Sequence, residues 1–309
     1  MKKEEFYYAS RDEQSKIHAV RYTPEGVEPW CVVQIVHGMA EHIERYEAFA
    51  KFLTDRGIVV TGASHLGHGK SVGEGQVQGY FCKVDPATVV VRDVHRLKKM
   101  TENIYPNLPY FILGHSMGSF ITRNYISRYG TGIKGAIIMA SGVMPIGMIK
   151  ASKALMSVIG KVHGEKYVSK FCDNLAFGNY NAHIENPKTS VDWLSTDEKE
   201  VQKYIDDPMC GFTFTINGFK GLMELMFRAH APEYLEKVPG NLPLYVVAGE
   251  EDPVGSYGLV VTELPKLLAQ FGVTSVEAKG YKNARHEILN DACREEVMED
   301  IYAWLKKEV

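Results

Sequence analysis

The sequence has few cysteines, no long apolar run and no excess of basic charge. Its five cysteines, Cys31, Cys82, Cys172, Cys210 and Cys293, are widely separated, and no Cys-x-x-Cys pair is present for a metal or redox site. No stretch approaches the ~20 apolar residues that span a bilayer. The first residues also lack a signal-peptide pattern. We therefore expect a reduced, cytoplasmic protein without stable membrane insertion, and transient contact with a membrane surface is left open.

Charge and composition are ordinary for a globular protein. The 309 residues carry a net charge of −3, with 45% hydrophobic and 24% charged residues. Nucleic-acid-binding surfaces are strongly basic, so we expect no nucleic-acid partner. The length allows one large core with an insertion. The sequence leaves the oligomeric state open.

Short apolar runs alternate with amphipathic helical patterns at both ends of the chain. This alternation is typical of a largely parallel sheet flanked by helices. One predicted helix, over about 258–271, contains Pro265, which should interrupt or kink it. Strands are predicted at 17–22, 30–36, 58–62, 110–113, 135–140, 242–248 and 275–278.

The alternation stops between residues 144 and 239. This stretch is rich in Met, Phe and Leu and shows no regular succession of strands and helices. We therefore predict an α/β fold in two parts. Residues 1–143 and 240–309 form the sheet core, and residues 144–239 form an inserted, mostly helical cap, or lid.

The motif most indicative of chemistry is Gly114–Gly118, which reads Gly-His-Ser-Met-Gly and fits the pattern G-x-S-x-G. It lies between a predicted buried strand and a predicted helix, which is the context that a nucleophilic serine requires. The glycines relieve crowding at the sharp turn. We predict Ser116 as the nucleophile and the backbone N–H of Met117 as one donor to an oxyanion.

A serine needs a base, and the base needs an orienting acid. His286 follows the last predicted strand, as the triad order of this fold requires, whereas we interpret His230 as a solvated surface histidine. Asp252 follows the strand 242–247 and begins an Asp-Pro turn. Glu250 stays open as a second choice for the acid, and Glu251 is interpreted as a solvated loop charge.

The loop after the strand 30–36 begins with His37, Gly38 and Met39. Gly38 lets the backbone approach the substrate, so the N–H of Met39 is predicted as the second oxyanion donor. His37 and His42 are interpreted as loop-packing residues, because no partner set with metal-ligand spacing accompanies them.

One glycine-rich loop contains two patterns that resemble known binding motifs but are interpreted otherwise. His65 and His68 are spaced like some zinc ligands, yet we interpret them as residues that fix the loop geometry. The end of this loop, Gly69–Ser71, looks like a phosphate loop, but the required glycine is replaced by Ser64.

Five motifs in this order resemble the monoacylglycerol lipase and lysophospholipase group of α/β-hydrolases. The resemblance covers about 5–143 and 240–309 and implies Ser116, Asp252 and His286 as the catalytic triad. It also implies the amides of Met39 and Met117 as the oxyanion hole. The expected acyl-transfer mechanism needs no cofactor or metal. The motifs are His37–His42 with Tyr46, Gly67–Ser71, Gly114–Gly118, Glu251–Pro253 and Arg285–Glu287.

We expect two-step hydrolysis of esters with an apolar acyl chain, such as monoacylglycerols or lysophospholipids. An apolar cluster in the predicted cap suits a pocket for such a chain, because flexible methionines adapt to it. The predicted substrate-binding residues are Gly38, His115, Met144, Phe212, Phe219 and Met223.

Two alternatives stay open. One is a small-ester or amide hydrolase, including a peptidase that releases N-terminal residues. It would need a cap acid to bind the substrate ammonium, for which Glu224, Glu233 and Asp206 are candidates. The other is a ligand-binding receptor that has lost catalysis, although this chain retains a complete candidate triad.

Overall fold

The computed structural model describes all 309 residues, which form one eight-stranded sheet in the order β1-β2-β4-β3-β5-β6-β7-β8. Strands β3 to β8 are parallel, and β1 and β2 add an antiparallel edge. This confirms the predicted α/β fold class. The strands are β1 Lys2–Ala9, β2 Lys16–Thr23, β3 Cys31–Val36, β4 Ile58–Ala63, β5 Tyr110–His115, β6 Gly135–Met139, β7 Leu244–Gly249 and β8 Val276–Tyr281.

Helices cover both faces of the sheet, which explains why central strands such as β3 are apolar throughout rather than alternating. Helices α1 and α10 pack on one face, and α2, α3 and α9 pack on the other. The helices are α1 Glu47–Thr54, α2 Pro86–Ile104, α3 Met117–Tyr129, α4 Ile146–His163, α5 Lys170–Phe177, α6 Glu198–Asp206, α7 Ile216–His230, α8 Pro232–Leu235, α9 Val260–Ala269 and α10 Arg294–Glu308.

Five helices, α4 to α8, lie between β6 and β7, in the segment 144–239 that we call the cap. The cap packs through Phe214, Phe219 and Leu225 into the same continuous hydrophobic cluster as the residues of α2 and α3. Because this cluster joins the cap to the sheet, its cap residues stabilise the fold of the whole chain.

Two details differ from the sequence-based expectations. Strand β1 was not predicted, because it is an exposed edge strand whose lysines and glutamates mask the strand pattern. The predicted interruption at Pro265 does not occur, because helix α9 continues through this residue to Ala269. A proline removes only one helical N–H, and the buried side chains of Val260, Leu264 and Leu268 hold the helix against the sheet.

None of the ten helices combines the length and the apolar character that crossing a bilayer requires. All five cysteines carry free thiols, and four of them are buried.

Candidate active site

Ser116 lies at the tight turn between β5 and α3. Its backbone has φ 53° and ψ −119°, a conformation that residues other than glycine rarely adopt. The flanking glycines allow this turn, because a Cβ at Gly118 would collide with the carbonyl oxygen of Val36, and one at Gly114 with Thr122. The turn therefore places Ser116 at the carboxyl end of the sheet, where ligands bind in α/β folds.

Two backbone amides beside Ser116 have no hydrogen-bond acceptor within the protein, namely those of Met117 and Met39. Met117 is the first residue of α3, so its N–H lies at the positive end of the helix dipole. The loop that carries Met39 is fixed because the N–H of Gly38 donates to Glu41 Oε1 at 2.6 Å. This is the arrangement that an oxyanion hole needs.

His286 and Asp252 are brought together from the loops after β8 and β7. His286 Nδ1 donates to Asp252 Oδ1 at 3.0 Å, and both side chains are almost fully buried. The same oxygen accepts the N–H of Val254 at 2.9 Å, which fixes the carboxylate. Glu250 and Glu251 are exposed, so geometry favours Asp252 as the partner of the imidazole.

The cap contacts this histidine directly. The ring of Trp193 lies 5.0 Å from the ring of His286, centroid to centroid, and the His286 N–H donates to the Trp193 carbonyl. The position of the imidazole therefore depends on the cap as well as on the sheet core.

A cavity of about 460 Å³ opens above the sheet, and Ser116, His286, Met39 and Met117 all border it. This volume lies within the usual range for small-molecule sites. Fifteen of its 28 lining residues are hydrophobic, which suits an apolar ligand.

Four of the predicted substrate-binding residues line this cavity, namely Gly38, His115, Met144 and Phe212. The predictions for Phe219 and Met223 need correction, because neither residue lines it. Phe219 is fully buried against Phe214, and Met223 lies on another side of α7. Helix α7 instead lines the cavity with Leu222 and Met226, which are one helical turn apart.

A buried ionic network surrounds the site and was not found by sequence reasoning. Arg45 makes two hydrogen bonds to the Glu287 carboxylate, at 2.6 and 2.7 Å, and one to Glu41 at 3.0 Å. Glu41 also accepts from His115 Nδ1 at 3.1 Å and from the Tyr46 hydroxyl at 2.9 Å. The network connects the oxyanion loop, the residue before Ser116 and the residue after His286.

The network also sets two protonation states. Burial alone would lower the pKa of His115, but the hydrogen bond and the charge of Glu41 outweigh burial and raise it. Burial alone would raise the pKa of Glu41, yet His115 and Arg45 hold it well below its usual range. Both groups therefore favour their charged forms. The only sign of this ionic network in the sequence is the motif His37–Tyr46, which contains Glu41, Arg45 and Tyr46.

The other histidines near the site make structural contacts. His65 Nε2 bonds the carbonyl of His37, and His68 Nδ1 bonds that of Leu66. The interpretation of His230 as a solvated residue is wrong. Its side chain is buried, with Nδ1 bonded to the Met226 carbonyl and Nε2 accepting from the Met144 N–H.

Comparison with known proteins agrees with this geometry. A family model described as serine aminopeptidase, S33, matches residues 28–292. A monoacylglycerol lipase from Mycolicibacterium smegmatis is 27% identical over 92% of this chain and 90% of its own length. A monoglyceride lipase homolog from Monkeypox virus is 26% identical over 91% of both chains.

Among solved structures, a thermostable carboxyl esterase from Bacillus coagulans superposes with a TM-score of 0.92 and 33% identity over 100% of both chains. These similarities confirm the resemblance to monoacylglycerol lipases. The chain therefore belongs to the serine aminopeptidase S33 family of α/β-hydrolases and is a carboxylic ester hydrolase.

Proposed function

We propose that this protein hydrolyses esters of apolar acyl chains with small neutral alcohols, monoacylglycerols above all, through Ser116, His286 and Asp252. In this mechanism His286 removes the Ser116 proton as Oγ attacks the ester carbonyl, and the amides of Met39 and Met117 bind the oxyanion. His286 then protonates the leaving alcohol, and water hydrolyses the acyl-enzyme. The observation that carries this proposal is the cavity shared by Ser116, His286 and both free amides.

The apolar wall of the cavity supports an acyl chain as the bound group. Each CH₂ that leaves water contributes up to about 0.8 kcal/mol, or about fourfold in kcat/KM. We therefore expect specificity to increase with chain length until the cavity is full. The residues of this wall include Phe120, Met144, Phe177, Phe212, Leu222 and Met226.

The charges at the cavity favour a neutral alcohol over a phosphorylated one. Three acids line it, Glu41, Asp173 and Glu287, and no lysine or arginine does. The lining side chain that favours a cationic form, His115, is already paired with Glu41, so a phosphate group would leave water without a free cation to pair with, which costs several kcal/mol. Monoacylglycerols are therefore a better fit than lysophospholipids.

The same charges argue against release of N-terminal amino acids. Glu41 and Glu287 are already paired with Arg45. Of the acids considered from the sequence, Glu224 pairs with Lys153 and Arg228, and neither it, Glu233 nor Asp206 lines the cavity. Asp173 is the one lining acid without a cationic partner, and burial raises its pKa, which favours the neutral carboxyl.

We further propose that residues 144–239 act as a cap domain over the core of residues 1–143 and 240–309. We also propose that the protein is cytoplasmic. The outer cap surface exposes Val158, Val162, Phe171 and Leu175. Exposed apolar side chains such as these can touch a lipid surface and shorten the path of an insoluble ester to the cavity. Phe171→Ser should then slow turnover of vesicle-bound ester but leave turnover of a soluble ester unchanged.

The deciding experiment measures kcat/KM for p-nitrophenyl esters from acetyl to decanoyl, with Ser116→Ala as the inactive control. A second series compares monoacylglycerol, lysophosphatidylcholine and lysophosphatidic acid that carry the same acyl chain. We expect an increase with chain length and a preference for the neutral head group. A flat chain-length profile, or faster cleavage of the matched p-nitroanilide, would contradict the proposal and favour the small-ester or peptidase alternative.

A further inference from the structure

Three metal-ligating side chains meet where the cap contacts the oxyanion loop, outside the cavity. His42 comes from the loop after β3, and Asp207 and Cys210 come from the turn after α6. Their ligand atoms all lie within 4.8 Å of one another, and His42 Nε2 lies 2.8 Å from Asp207 Oδ2. The fold thus supplies His42 with the partners that its sequence neighbourhood lacks.

The ligand atoms of His42 and Asp207 are bonded to each other. The His42 Nε2–H donates to Asp207 Oδ2 at 2.8 Å, a hydrogen bond that a metal ion would replace, while Asp207 Oδ1 accepts the N–H of Met209 at 2.8 Å. The other nitrogen of His42, Nδ1, has no hydrogen-bond partner and lies 3.6 Å from Glu44 Oε2, which is also unpartnered. A carboxylate behind the distal ring nitrogen is the common outer-shell arrangement of a metal-bound histidine.

The ligand chemistry selects the metal class. One imidazole, one carboxylate and one thiol are typical of Zn²⁺ and related borderline-soft divalent ions, and unlike Mg²⁺ or Ca²⁺ sites, which use oxygen ligands. Asp207 and a Cys210 thiolate would together neutralise the charge of a divalent ion. Cys210 and His42 are buried, while the Asp207 side chain is 27% exposed and provides an entry path.

We propose that His42, Asp207 and Cys210 form a binding site for Zn²⁺ or a similar divalent transition-metal ion, which cross-links the cap to the oxyanion loop. On binding, the hydrogen bond between His42 Nε2 and Asp207 Oδ2 breaks, the imidazole proton is transferred by solvent from Nε2 to Nδ1 beside Glu44, and Cys210 loses its thiol proton to solvent. Bonds from the metal to Nε2, Oδ2 and the Cys210 sulfur then form. Tetrahedral ligands lie about 3.5 Å apart, so His42 Nε2 and Asp207 Oδ2, now 2.8 Å apart, must separate to admit the ion.

A metal at this site would lie beside the contact between the cap and the oxyanion loop. Two cap groups, the Tyr204 hydroxyl and the Gly211 N–H, already donate to the Ala40 carbonyl, each at 3.0 Å. Ala40 follows Met39, which is one of the proposed oxyanion donors. A bound metal would add a stronger connection at the same contact between the cap and the oxyanion loop and would hold the cap closed. It would therefore affect the opening of the cap rather than the ester hydrolysis step.

Cobalt is the probe, because a Co²⁺–thiolate bond has a charge-transfer absorption that identifies a cysteine ligand. Chelator-treated protein is titrated with Co²⁺ and then with Zn²⁺ as competitor. We expect one equivalent of Co²⁺ to produce the band and Zn²⁺ to abolish it. Cys210→Ser should remove the band, and Asp207→Asn should weaken binding by at least ~10- to 100-fold, the size of effect already seen for outer-shell partners.

Cys293→Ser is the matched control, because Cys293 is a free cysteine on a different loop and its replacement should leave the titration unchanged. His286→Ala tests whether the active-site histidine captures the metal instead, and it should also leave the band intact. Circular dichroism checks that each variant is folded. Absence of a band, its persistence in Cys210→Ser or its loss in His286→Ala would overturn the proposal. None of these outcomes depends on ester turnover.

Discussion

Replacing Arg45 by Gln should be among the most destabilising polar substitutions in this protein. The Arg45 side chain is 11% exposed, and its partners Glu41 and Glu287 are 4% and 5% exposed. Removing one partner of a buried ion pair costs about 3–5 kcal/mol, since the other charge stays buried without compensation. Glu41 retains its bond to His115, so only Glu287 becomes uncompensated. We therefore expect the lower end, about 3 kcal/mol.

The surface pair between Arg56 and Glu299 provides the matched control. Its side chains are 32% and 57% exposed, and solvent screens an exposed pair so that it contributes at most about 1 kcal/mol. Arg56→Gln should therefore change the free energy of unfolding by less than about 1 kcal/mol. The two variants make the same chemical change and differ mainly in burial.

Urea denaturation gives the free energy of unfolding of each variant, and ester kinetics give kcat/KM. Arg45→Gln should also lower kcat, because Glu287 follows His286 and anchors its loop. Adding Glu287→Gln should recover part of the lost stability, since the uncompensated buried charge is then gone. A loss below about 1 kcal/mol for Arg45→Gln, or a double variant less stable than the single one, would refute the reasoning.

Three further predictions address the acid, the buried histidines and the cavity. Asp252→Asn should lower kcat by about 10⁴-fold through the wrong histidine tautomer, whereas Glu250→Gln should be mild, and the reverse order would show that the acid is misassigned. Burial lowers the pKa of His65 from 6.5 to about 4, so its contribution to stability is complete above pH 6.5 and is lost as the pH falls toward 4. The decrease in the urea midpoint between pH 6.5 and 4 should be smaller in His65→Gln than in the unmodified protein, and equal decreases would contradict this effect. Leu222→Trp should shift the preferred acyl chain to a shorter length, while Met223→Trp, on the same helix but outside the cavity, should not; equal shifts would contradict the assignment of the cavity wall.

The features that the sequence predicted well are those with a local cause. The run Cys31–Val36 is apolar throughout because both faces of β3 are covered. The motif Gly114–Gly118 identified the turn at Ser116 because the two glycines are required by backbone contacts within that turn and with β3. Asp252 was favoured over Glu250 by its turn signal, and the structure buries the former and exposes the latter.

The features that it missed depend on pairs that only the fold brings together. Arg45 and Glu287 are 242 residues apart, and His42 and Asp207 are 165 apart, so no spacing rule relates them. The choice of Phe219 over Leu222 failed for a different reason. Both lie on an apolar helix, and the sequence does not reveal which face of α7 borders the cavity and which packs inward.

The most direct test of the proposed mechanism is covalent labelling with a fluorophosphonate, which reacts with serines that an adjacent base activates. The protein is incubated with the probe, its intact mass is measured and the labelled peptide is mapped. We expect a single adduct on Ser116, which is absent in Ser116→Ala and forms far more slowly in His286→Ala. Labelling of another residue, or unchanged labelling of either variant, would contradict the assignment of Ser116 as the nucleophile.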